Sequence, residues 1–251
     1  MALFKSGNPT LQEKMFQNTI TIPGEETMTQ RGALNKFFFL SLMVMASASF
    51  TWSAYYQNKD IMPWMIGGAI GGFIVAMIIV FKKEWSAYLA PAYALLEGVF
   101  LGGISALYNN AFQKVAPGIV MQAVGLTFGV VIAMYALYHF RVIKATERLK
   151  SIIITATAGV AIFYLIAIVL RMFGVDMPFI HEGSNMGILF SLVIVAIAAM
   201  NLIIDFDMID QGAAAGAPKY MEWYCAFGLM VTIVWLYIEI LRLLSKFASR
   251  K

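Results

Sequence analysis

An all-α chain that crosses a membrane seven times is the fold the sequence predicts, and three observations predict it. Hydrophobic residues make up 61% of the 251 positions, against a usual ~45–50%. Charged residues make up 13%, about half the usual ~25%. The apolar residues also fall in long continuous runs, and a spanning helix needs ~20 of them in succession. Seven runs qualify, at roughly 37–56, 61–81, 86–108, 117–139, 151–172, 185–206 and 220–244. A membrane barrel would instead alternate in ~10-residue pieces. A helix is preferred because it satisfies its own backbone hydrogen bonds within lipid.

The same arithmetic narrows function. With 14 acids and 18 bases, the chain is neither a disordered segment nor a nucleic-acid-binding domain, and no nucleic-acid partner is expected. The net charge of +4 reads as topogenic, because the bases sit between apolar runs. The single cysteine, Cys225, excludes an intrachain disulfide and a Cys-based zinc site. His139 and His181 lie too far apart in sequence for a metal motif, and the pair His181-Glu182 lacks a second histidine at metal spacing. No HExxH, Walker loop or nucleophile elbow is present. Neither an enzyme nor a resident cofactor is expected.

Residues 1–35 read as a polar cytoplasmic tail, 36–246 as the membrane domain and 247–251 as a basic C-terminal tail. No apolar h-region follows the start, so no cleaved signal peptide is expected. Thr10 is placed to cap a short helix over Leu11 to Gln17, and Thr21 to Gln30 reads as a flexible lead-in. The short connections Gln57-Asn58-Lys59-Asp60 and Lys82-Lys83-Glu84 call for antiparallel neighbours.

Orientation follows from the bases. With the N-terminus inside, eleven Lys and Arg lie on the cytoplasmic side and seven outside. Four of those seven are C-terminal, at Arg242, Lys246, Arg250 and Lys251. They pull against this orientation, and six spans with a re-entrant last segment would put both ends inside. Glycines four apart, at Gly67/Gly71, Gly68/Gly72, Gly98/Gly102 and Gly125/Gly129, mark faces where helices pack closely.

An ionisable group at membrane depth costs a few kcal/mol even on lenient scales, so each one is informative. Glu97 falls near the middle of the third span, with no Lys or Arg at that depth to pair it. Asp205 falls at the end of the sixth, with Asn201 one turn earlier on the same face. Asp207 and Asp210 follow, and Asp207 faces elsewhere; three carboxylates so close to a cytoplasmic mouth read either as a lure for cations or as an ordinary acidic helix end exposed to water. Glu222 is expected at the interface beside Trp223 and Tyr224, and Glu239 within reach of Arg242. Arg171 should snorkel from the end of the fifth span.

Three stretches carry a family resemblance. They are Ser6 to Phe16, Pro91 to Gly102 with its Glu97-Gly98 pair, and Asn201 through Arg242. The chain resembles the Bax inhibitor family of seven-span membrane proteins, in its bacterial YccA-like branch. The resemblance implies a bundle with the last helix central and an inner-membrane location. It also implies a pH-sensitive calcium leak in which two aspartates share a proton. Asp205 matches the sixth-span aspartate, whereas Thr232 stands where the seventh-span one is expected. Thr232 cannot ionise, so the shared-proton pair is absent unless Glu222 or Asp207 supplies it. Calcium or protons are then the expected partners, with any metal held transiently at Asp205. A membrane-bound AAA protease is the alternative partner, with the polar tail as its handle. The leading expectation is a cation leak carried by Asp205, Glu97 and Thr232. The rival is a regulatory protein that transports nothing.

Overall fold

The computed structural model describes residues 26–174 and 184–250. The segments around Thr10 and His181 lie outside them. Among the described residues, seven helices are long and apolar enough to cross a membrane. They are α1 (Gln30–Tyr56), α2 (Met62–Phe81), α3 (Ser86–Phe112), α4 (Ile119–His139), α5 (Glu147–Met172), α6 (Asn185–Ala214) and α7 (Met221–Ala248). A 3-10 turn, Lys83–Trp85, leads into α3. No strand is found among the described residues.

The helices outrun the apolar stretches because capping, not hydropathy, sets their ends. Thr29 caps α1, its hydroxyl accepting the Gly32 amide at 2.9 Å. Helix α1 therefore starts seven residues before the apolar run. Thr146 likewise caps α5. Helix α6 ends in a Schellman turn. The Ala217 amide reaches back to Gly212 O, the Gly216 amide to Ala213 O, and Gly216 takes a φ of +65°. Asp205 therefore lies well inside α6, not at its end. Helix α7 is one continuous 28-residue helix, long and apolar enough to cross a membrane.

The chain divides into two compact units, one of which comprises, among the described residues, 26–110 and 207–231. Its helices meet through glycine. At Gly98 and Gly102, a Cβ would run into the α1 backbone at Val44 and Ala48. At Gly68 it would meet Leu96 O of α3. Tyr93 packs edge-on against Phe227, with centroids 4.9 Å apart. The α1, α3 and α7 N-termini share one end. Ser86 Oγ donates to Tyr220 O at 3.1 Å, and the Met28 amide to Ala217 O at 2.7 Å. Thr27 forms an antiparallel bridge with Pro218. The lead-in ahead of α1 is thus pinned from Glu26 onward, where the sequence suggested a flexible segment.

The other unit comprises 111–174, 184–206 and 232–250 among the described residues. Tyr135 and Tyr138 of α4 close on Phe206 of α6. Phe163 of α5 meets Phe190 of α6, with centroids 5.0 Å apart. Helix α5 is the least buried of the seven and α7 the most. Large exposed apolar side chains such as Phe73, Ile132 and Leu165 suit contact with lipid tails.

Candidate functional site

Asp205 is surrounded on α6 by buried Leu202, Ile203, Ile204 and Phe206. Thr232 of α7 hydrogen-bonds its carboxyl group. The Oδ2 atom is shut off from solvent and has no hydrogen-bond partner, alone among the described buried side-chain oxygens and nitrogens. A desolvated carboxylate oxygen without a donor is costly. Asn201, one turn earlier, is directed to α5: its amide donates to Thr157 Oγ1 at 2.8 Å and to Ile197 O at 2.9 Å.

The other acids are placed differently. Asp207 accepts Gln211 Nε2 at 2.6 Å along its own helix. Glu97 is half-buried in α3, and its Oε2 packs over Gly72, where a Cβ would come within 3.1 Å. No hydrogen bond or ion pair to Glu97 is found among the described residues. Glu222, at the start of α7, is wholly buried. The Thr29 amide and hydroxyl donate to its Oε1 at 2.9 and 3.0 Å, and Lys36 pairs with its Oε2. Lys36 also lies over the Trp223 ring. Lys219 sits just ahead of α7, 3.3 Å from Glu222 Oε1 and 3.6 Å from Glu26 Oε2. Hydrogen bonding to Glu222 holds its ammonium above the usual lysine range.

A second polar cluster was only partly expected. Glu239 is buried, and both its oxygens accept Arg242 Nη1 at 3.0 Å. Tyr164 and Trp235 also donate to Glu239 Oε1, at 2.9 and 3.2 Å. Farther along, buried Lys246 donates to Gly187 O at 2.9 Å and to Ser191 Oγ at 2.8 Å, and Arg250 donates to Asn185. The i,i+3 spacing signalled Glu239 and Arg242. Lys36, Tyr164 and Lys246 carried no such signal.

Among the described residues, no group of three or more His, Cys, Asp or Glu side chains gathers to hold a metal. What the Asp205 site offers is one desolvated carboxylate oxygen beside a hydroxyl. A carboxyl oxygen in such a place can take up a proton or accept a positively charged partner. The family model described as Bax inhibitor 1 like matches residues 8–249. Neither the curated proteins nor the solved structures give a match.

Proposed function

Because the chain belongs to the Bax inhibitor 1 like family, we propose that it is a non-enzymatic, pH-sensitive leak channel that passes calcium across the inner membrane. Asp205 is the group that meets the ion and the proton, Thr232 holds its carboxyl, and Glu97 is a second polar station. The observation that carries this reading is the buried, partnerless Asp205 Oδ2. In a low dielectric, either a proton or a cation offsets the cost of that oxygen. Glu222 and Asp207 already accept hydrogen bonds from other groups, so the site works with one carboxyl beside a hydroxyl. The excess of bases on one side supports a cytoplasmic N-terminus.

The deciding experiment is calcium flux into proteoliposomes from about pH 5 to 8, wild type beside Asp205→Asn. The variant should lose both the flux and its pH dependence. An unchanged profile in Asp205→Asn would remove Asp205 from the mechanism.

Thr232, standing where the resemblance expects an acid, favours a second reading: a regulator of a membrane-bound protease or another membrane complex. Deletion of residues 1–25 tests it, because Glu26 onward is built into the fold. Under this reading the partner effect disappears and no flux is seen in either form.

A further inference from the structure

Helix α7 places Thr232, Trp235, Glu239, Arg242 and Lys246 alternately three and four residues apart, which puts them on one face. The facing side of α6 carries Gly187, Ser191, Ala198 and Asp205. The two faces meet in antiparallel register. Asp205 pairs with Thr232 at one end and Ser191 with Lys246 at the other. Each end pair is separated by fourteen residues on both helices, about 21 Å of helix at ~1.5 Å per residue. Tyr164 of α5 joins the middle of this face through Glu239 and Arg242.

The polar face is not uniform. Near Asp205 it presents an acid and a hydroxyl. Toward the α7 C-terminus it presents two cations four residues apart, with one carboxylate, Glu239, between α7 and Tyr164. Lys246 takes a backbone carbonyl and a hydroxyl, the neutral oxygens a metal cation takes as ligands. Arg242 takes both oxygens of Glu239. Lys246 is buried and Arg242 partly exposed, and each fills an oxygen site that a mobile cation would otherwise find.

We propose that Arg242 and Lys246 form a tethered-cation plug: their side chains occupy the oxygen sites between Asp205 and the C-terminal end of α7, and a cation reaches Asp205 from that end only when they leave. Fixed positive charge repels another cation, so while both side chains hold these oxygens a second cation is kept from them. What passes once the plug opens rests on the leak reading. Access to the face does not.

The experiment reads access and flux separately. Cys225→Ala removes the native thiol, and Ala198→Cys sets a reporter seven residues from both Ser191 and Asp205 on the same face. The protein is placed in liposomes and treated with a membrane-impermeant thiol reagent, with calcium flux measured in parallel. Lys246→Met, Arg242→Gln and the double variant should each label at least about tenfold faster than the parent, and Lys246→Arg should label at the parent rate. A structural role alone predicts weaker folding without this gain. Faster labelling with raised flux supports the plug and the leak together. Faster labelling without flux supports the plug and counts against the leak. Unchanged labelling in variants that stay monodisperse overturns the plug whatever the flux. Should Lys246→Met fail to fold, Lys246→Gln and Arg242→Gln carry the same comparison.

Discussion

The Glu222 carboxylate lies against the Cα of Gly32, in the space a Cβ there would fill. The acid can reach the α1 N-cap and Lys36 only because position 32 has no side chain. Gly32→Ala should therefore displace the carboxylate from its donors, although alanine is the better helix former. Breaking a buried ion pair by removing one partner costs about 3–5 kcal/mol, and Glu222→Gln should approach that loss. In a double-mutant cycle the two substitutions should be far from additive, since each undoes the same contact. Thermal unfolding in detergent measures all three variants.

The glycine pairs divide into two kinds. Gly102 lies against the Ala48 backbone, whereas Gly125 and Gly129 face open space. Gly102→Ala should destabilise by about 1–3 kcal/mol, as overpacking does. Gly129→Ala should be neutral or stabilise by up to about 1 kcal/mol, because an exposed helical glycine is entropically costly. The sign of the difference in unfolding temperature is the test.

Lys219 gives a pH prediction outside the membrane. Its folded-state pKa is raised, first by the hydrogen bond to Glu222. The stabilisation is therefore fully present below the unfolded lysine value of ~10.4 and is lost as pH rises through the folded value. Lys219→Met should lower the unfolding temperature by the same small amount at neutral and mildly alkaline pH. The gap to wild type should then close in strong alkali. A gap that closed on acidification would contradict the pairing.

Thr232→Asp places a second carboxyl against Asp205. Two like charges in contact cannot both ionise cheaply, so the pair should titrate as a unit. Under the leak reading, the flux–pH curve of the variant should gain a second step that wild type lacks. A curve superimposable on wild type would show that the two side chains do not share protons.

The seven helices were legible because lipid demands long apolar runs, a signal carried locally. Their ends were less so. The acids and Gln211 after Asp205 look like the end of a span, yet Gly216 is what ends the helix. Sites followed the same division. Glu239 and Arg242 are three apart, and sequence spacing reveals such a pair. Lys36 and Glu222 are 186 apart, and nothing local marks one as the partner of the other. The flexible reading of Thr21 to Gln30 failed, over its described part, for the same reason: the residues that pin it lie beyond position 216.

The contact between Thr29 and Glu222 spans 193 residues of sequence, which has a consequence for biosynthesis. At ribosomal speeds of ~5–20 residues per second, the acid emerges roughly 10–40 s after the cap it completes. During that interval the first helix sits in the bilayer with Lys36 still awaiting its carboxylate. The first turn of α1 therefore gains its acid only when the last helix is made, and a chain stalled before position 222 lacks that contact.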